Sequence, residues 1–145
     1  MNDGSTVTSD PWAGVVGQDE AVARLRAAVH NPVHAYLFVG PNGVGKRLAA
    51  GVFAGELLAA ADPDGAARHR ELARRLEHPV VRVVTPTGAQ FRVDESKLLV
   101  AAATRSPVEG DRKVVVADRF HDANANAMPP LLKVAEEPPD STVFV

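Results

Sequence analysis

Tyr36-Leu37-Phe38-Val39-Gly40-Pro41-Asn42-Gly43-Val44-Gly45-Lys46-Arg47 sets an apolar run directly before the spacing G-x-x-x-x-G-K. A strand that enters a glycine-rich turn and leaves it as a helix is the pattern of a phosphate loop, in which backbone N–H groups close around the anion and a lysine reaches its outer oxygens. The candidate cradle is Gly40, Pro41, Asn42, Gly43, Val44, Gly45 and Lys46. In it the N–H groups of Gly43, Val44 and Gly45 and the ammonium of Lys46 face phosphate. The next position carries Arg47 where a hydrolytic loop needs a Ser or Thr hydroxyl on Mg²⁺. A guanidinium has donors and no acceptor lone pair, so it repels the metal that a hydroxyl would bind. Phosphate affinity without efficient hydrolysis is the expectation. The competing reading is a plain glycine-rich turn, which has no need of Lys46.

Outward from the loop, residues 48–58 continue as a helix with an apolar stripe, and residues 34–39 read as a buried strand. Upstream, Ala21, Val22, Leu25, Ala28 and Val29 fall at helical spacing from Asp19 to Val29, and Asn31-Pro32 ends that helix. Residues 1–10 are polar and read as a flexible tail, leaving 11–145 as one domain. Downstream, Asp62-Pro63-Asp64-Gly65 breaks the chain before a charged helical stretch over residues 66–77. Its arginines suit a solvated face. His69 and His78 lack partners at metal-ligand spacing and are expected at the surface. Residues 80–84 form a second strand, and Phe91 and Val93 a short extension of it. Asp94 is placed to cap a helix over residues 95–105.

Lys113-Val114-Val115-Val116-Ala117-Asp118 is a β-branched run, the composition of a strand buried on both faces of a parallel sheet. Asp118 closes it at the carboxyl edge, where open α/β sheets bind ligands. That gives it the position of a Walker B aspartate, able to accept a metal-bound water or simply to cap a turn. The following residue is Arg119 where a hydrolytic site carries a glutamate to polarise water, and Asp122 comes too late to replace it. Arginine thus stands at two separate catalytic positions.

The chain of 145 residues can bury one core, and the alternation of elements gives the α/β class. A formal net charge of −2 argues against a protein that coats nucleic acid on its own. The absence of cysteine excludes disulfides and cysteine-based zinc sites. No apolar run approaches the ~20 residues that span a bilayer, so no membrane partner is expected and a cytoplasmic location fits.

These motifs together resemble the clamp-loader branch of the AAA+ proteins, and within it the delta-prime subunits of bacterial DNA polymerase III. Val15-Val16-Gly17-Gln18 is similar to the family's element near the adenine pocket, which implies nucleotide contacts at Val16 and Gly17. Residues 34–38 precede the loop as they do in the family. Pro107-Val108-Glu109-Gly110-Asp111-Arg112-Lys113 resembles the segment entering the Walker B strand, and Asp118-Arg119-Phe120-His121 stands where ATPase members carry D-E-x-H. Leu131-Leu132-Lys133-Val134-Ala135-Glu136-Glu137-Pro138-Pro139 resembles the L-L-K-x-x-E-E-P-P signature. On the residues alone, that last stretch is a helix packing Leu131, Leu132 and Ala135, ended by the prolines before a strand over residues 142–145.

The resemblance implies a three-layer P-loop fold with a mostly parallel sheet, ending before the family's sensor 1 residue, arginine finger, lid and collar, as an N-terminal fragment would. The family's four-cysteine zinc module has no counterpart here, so no metal is expected. Pro129-Pro130 precedes Leu131 and should start the helix at Pro130 or kink it. By resemblance the chain is a non-hydrolysing subunit that joins other clamp-loader subunits to load a sliding clamp on primed DNA. Its site, completed by Arg47 and Asp118, either holds ATP or ADP with little dependence on Mg²⁺ or stays empty. The rivals are an active ATPase subunit of gamma/tau type, which needs a hydroxyl at 47 and a glutamate at 119, a small P-loop kinase, which needs an acceptor lid, and a fragment with no activity of its own.

Overall fold

A computed structural model describes residues 9–120 and 123–145. His121, Asp122 and the first eight residues of the expected tail lie outside them. At the centre, β2 (Lys113–Ala117) runs parallel to β1 (Val81–Val84) on one side and to β3 (Thr142–Phe144) on the other. Successive side chains of a strand point to opposite faces. Val114 and Val116 therefore join one core with Val81 and Val143, while Val115 joins a second with Val84.

Helices cover both faces, which gives the three layers. On the first side lie α1 (Asp19–Val29), α2 (Lys46–Ala61) and α3 (Ala66–Arg74); on the second, α4 (Val93–Thr104) and α5 (Met128–Glu136). Helix α2 is apolar nearly all round, beyond the single stripe expected. Every residue from Ala49 to Ala59 is buried except Glu56, whose carboxylate pairs with Arg70 of α3 at 2.6 Å. Such a helix must be enclosed. It is enclosed by the sheet on one side and by α3 on the other. Gly51 and Gly55 let α3 approach, since a Cβ at Gly51 would meet the Ala73 carbonyl oxygen at 2.9 Å and one at Gly55 the Cα of Arg70 at 3.0 Å.

The C-terminal end of α4 is tied to the sheet by polar contacts. The Lys113 ammonium, at the start of β2, donates to the carbonyls of Ala102 and Arg105, and Thr142 Oγ1 donates to the carbonyl of Ala103 at 3.0 Å. Burial pushes the Lys113 pKa down, and the charges of Arg82 and Arg105 add to the effect. Cations are favoured at a helix C-terminus, where carbonyls lack partners within the helix.

Several local expectations are corrected. Residues 34–39 do not form a buried strand. Pairing is confined to an isolated parallel bridge at Ala35, with Phe144 N–H donating to His34 O and Tyr36 N–H to Phe144 O. Leu37 and Val39, in the second half of this stretch, are exposed. Asp94 is not the cap of α4. The helix starts at Val93, taking that residue from the expected strand extension, and the buried Glu95 carboxylate accepts the Arg92 N–H at 2.9 Å. That bond leads the causes holding Glu95 below the usual carboxylate range.

Helix α5 begins at Met128, two residues earlier than expected. Pro129 and Pro130 sit in its first turn, where missing N–H groups cost nothing. Its inward residues are Leu131 and Val134, three apart, whereas Leu132 and Ala135 are exposed. His69 and His78 are buried, at 7% and 2% exposure, because each finds a polar partner inside.

The close approach at Gly51 gives a stability prediction. Gly51→Ala gains about 1 kcal/mol of helix propensity but forces backbone of α3 to move, which costs about 1–3 kcal/mol. Urea unfolding is expected to register a net loss. Gly14→Ala, whose Cβ would make only an ordinary contact with Leu48 at 3.6 Å, is expected to be close to neutral.

Candidate functional site

The loop reaches α2 through two glycines in the left-handed region, Gly43 at φ 84° and Gly45 at φ 93°, the latter immediately before the first helical residue. Side chains there would be strained, so the glycines allow the chain to turn its N–H groups toward the helix axis. Lys46 opens α2, and its Nζ donates to the carbonyl of Gly40 across the mouth of the loop at 2.5 Å. The ammonium is therefore held over the loop with its charge available there.

Strand β2 delivers Asp118 to the same place. Its N–H continues the ladder by donating to Val84 O at 3.0 Å, and its carboxylate lies immediately beyond the strand end. The Arg47 guanidinium forms an ion pair with Asp118 Oδ2. Thr85, just past β1, donates its hydroxyl to the same carboxylate oxygen at 3.4 Å, while Arg47 Nη1 lies 3.5 Å from the Thr85 oxygen. Asp118 is only 20% exposed at its side chain, Arg47 54%. The carboxylate a metal would use is thus neutralised by a guanidinium from the position that should have supplied a hydroxyl. A dication entering here would have to displace Arg47 and then sit beside its charge.

Arg119 is in the left-handed region at φ 54°, and its Nη2 donates to the carbonyl of Pro86 at 2.7 Å. It fastens the turn after β2 to the segment after β1 and offers no base.

Two cavities flank the loop. One, of about 550 Å³, lies between α1 and the loop and is lined by Val15, Gln18, Leu25, Tyr36 and Lys46 among others. The other, of about 980 Å³, reaches Gly40, Asn42, Lys46, Arg47, Asp118 and Arg119, with an apolar floor that includes Val116 and Phe144. Among the site residues expected from sequence, Asn42, Gly43, Gly45, Lys46, Arg47 and Asp118 gather at these cavities, Gly40 at the second and Val44 at the first. Pro41 lines neither. Val16 is 81% exposed and Gly17 forms a turn at φ 75°, so their neighbours Val15 and Gln18 face the first cavity instead. Thr85 was missed. Its position immediately after a parallel strand, at the ligand-binding edge of the sheet, was the available signal.

The family model for DNA polymerase III, delta subunit, matches residues 17–145. The chain belongs to this family. It is 38% identical over 118 residues to DNA polymerase III subunit delta' of Pseudomonas aeruginosa, covering 77% of this chain and 36% of that protein. To subunit gamma/tau of Mycobacterium tuberculosis it is 32% identical over 141 residues, covering 92% and 24% respectively. A solved gamma subunit-related protein of Thermotoga maritima aligns with a TM-score of 0.44 at 22% identity, covering 59% of this chain and 30% of that one. The chain spans about a third or less of the curated relatives it matches. No helix among the described residues is long and apolar enough to cross a membrane.

The ion pair between half-exposed Arg47 and the largely buried Asp118 carboxylate sets the size of a mutational effect. Asp118→Asn is expected to change the unfolding free energy by less than about 1 kcal/mol, measured by urea denaturation, because Arg47 stays half-exposed to water and the amide oxygen still accepts from it and from Thr85. A much larger loss would mean that the pair is a structural staple.

Proposed function

We propose that this chain is part of a non-hydrolysing clamp-loader subunit of DNA polymerase III, of the delta-prime kind. In this reading it acts in the cytoplasm by holding and positioning neighbouring clamp-loader subunits, which together open a sliding clamp and load it on primed DNA. The observation that carries the reading is the Arg47 and Asp118 ion pair. It puts a fixed organic cation between the phosphate loop and the β2 carboxylate, where hydrolysis needs Mg²⁺. Arg119, turned to the Pro86 carbonyl, puts a donor-only side chain at the position directly after Asp118.

The retained loop, with Lys46 across its mouth, supports a phosphate cradle serving structure. ATP or ADP would bind through the loop N–H groups and Lys46, with Arg47 supplying positive charge in place of the metal. The rival, an ATPase subunit of gamma/tau type, has family likeness on its side and lacks both the hydroxyl at 47 and the acid at 119.

Steady-state ATP hydrolysis by the purified protein, alone and with its partner subunits, tests the proposal. Lys46→Ala serves as the background control. Turnover indistinguishable from that control is expected. Turnover that depends on Lys46 would overturn the assignment.

A further inference from the structure

At the opposite end of α2 from the phosphate loop, three ionisable side chains from separate segments converge. His69 comes from α3, His78 from the lead into β1, and Glu109 from the turn before β2. One donor atom from each lies within 4.8 Å of the others. His69 Nδ1 is 2.8 Å from His78 Nε2, which is 3.4 Å from Glu109 Oε1. Both imidazoles are buried, and Glu109 is half-buried, so the cluster opens to solvent through its carboxylate.

The far nitrogen of His69 is 2.8 Å from Asp62 Oδ2. A carboxylate accepts there, so His69 carries its proton on Nε2 and turns the Nδ1 lone pair into the cluster. This is how metal-ligating histidines are backed. Gly65 makes room for that contact, since a Cβ there would stand 2.9 Å from His69 Nε2 and 2.7 Å from the Asp62 oxygen. Arg68 also faces the cluster, donating to Glu109 Oε1 at 2.9 Å and to Oε2 at 3.4 Å, so an ion at Oε1 displaces the first of these bonds and Arg68 keeps the second oxygen. With Asp62 and Glu109 as anions and Arg68 as a cation, the surroundings carry a net negative charge that suits a dication.

We propose that His69, His78 and Glu109 bind one divalent transition-metal ion of the zinc class. Imidazole nitrogens with a single carboxylate select zinc, cobalt or nickel over Mg²⁺ or Ca²⁺. Bonds of about 2.0–2.1 Å in tetrahedral geometry put ligand atoms roughly 3.3 Å apart. The His78 and Glu109 spacing, at 3.4 Å, already matches, the two imidazoles part by about half an ångström, and the Glu109 carboxylate swings toward His69 from within 4.8 Å. Without metal, the Val80 N–H donates to His78 Nδ1 at 3.2 Å, leaving the His78 proton on Nε2 between the rings. The ion takes that proton's place. The proton moves to Nδ1, and the long Val80 contact is given up, which moderates the affinity. Bound metal would join α3 to the approaches of two strands.

Zinc titration of the chelator-treated protein tests this. One equivalent is expected to bind, and at a hundredfold excess over Kd the melting temperature should rise by about 5–10 °C. Co²⁺ should give the visible absorption of a low-symmetry site, and Mg²⁺ should give no shift. Glu109→Gln, confirmed as folded by its metal-free melting curve, should weaken binding at least tenfold, and His69→Gln should do the same. Replacing the exposed His30 and His34 by Asn should leave binding unchanged. Absence of a zinc-induced shift overturns the proposal, as does equal binding by wild type and Glu109→Gln.

Discussion

The double burial of β2 is the constraint on which the rest depends. A strand of Val114, Val115 and Val116 with a core on each face can be satisfied only by helices above and below the sheet. Once α2 packs on one side and α4 with α5 on the other, the strand's carboxyl end is fixed, and with it Asp118. The same packing fixes the first turn of α2. Arg47 and Asp118 therefore meet because two buried elements end at the same edge, without either side chain having to organise the fold.

That edge then determines the chemistry. Hydrolytic phosphate loops place a small acceptor and a carboxylate around a dication, which stays exchangeable with water and substrate. Here one partner of the carboxylate is covalently part of the chain. A tethered guanidinium can donate to the carboxylate and to phosphate oxygens, but it has no open coordination position at which to hold and activate water. The loop geometry is kept, with Gly43 and Gly45 in their left-handed conformations and Lys46 across the mouth.

Much of this was legible in the sequence because the signals were local. The period of α1 gave its bounds, the β-branched run gave β2, and the residues at 47 and 119 stood out against the spacing around them. What failed was what depends on partners far along the chain. Residues 34–39 find their one bridge at Phe144, far along the chain, a partner that an apolar run does not encode. The cap of α4 is provided by Glu95 reaching back to Arg92, a choice that Asp94 disputes on paper with equal propensity. The burial of His69 and His78 follows from Glu109 and Asp62 arriving beside them in space, at separations no spacing rule covers. Likewise, Thr85 enters the site only through the register of β1 on β2.

The central claim is that Arg47 occupies the role of the metal at this site. Calorimetric titration of the protein with ADP and ATP, with and without Mg²⁺, in wild type and in Arg47→Ser, addresses it directly. The account predicts that Mg²⁺ leaves wild-type affinity unchanged or absent, and that Arg47→Ser makes binding metal-dependent. Tighter binding in Mg²⁺ by the wild type, with Arg47 in place, would contradict it.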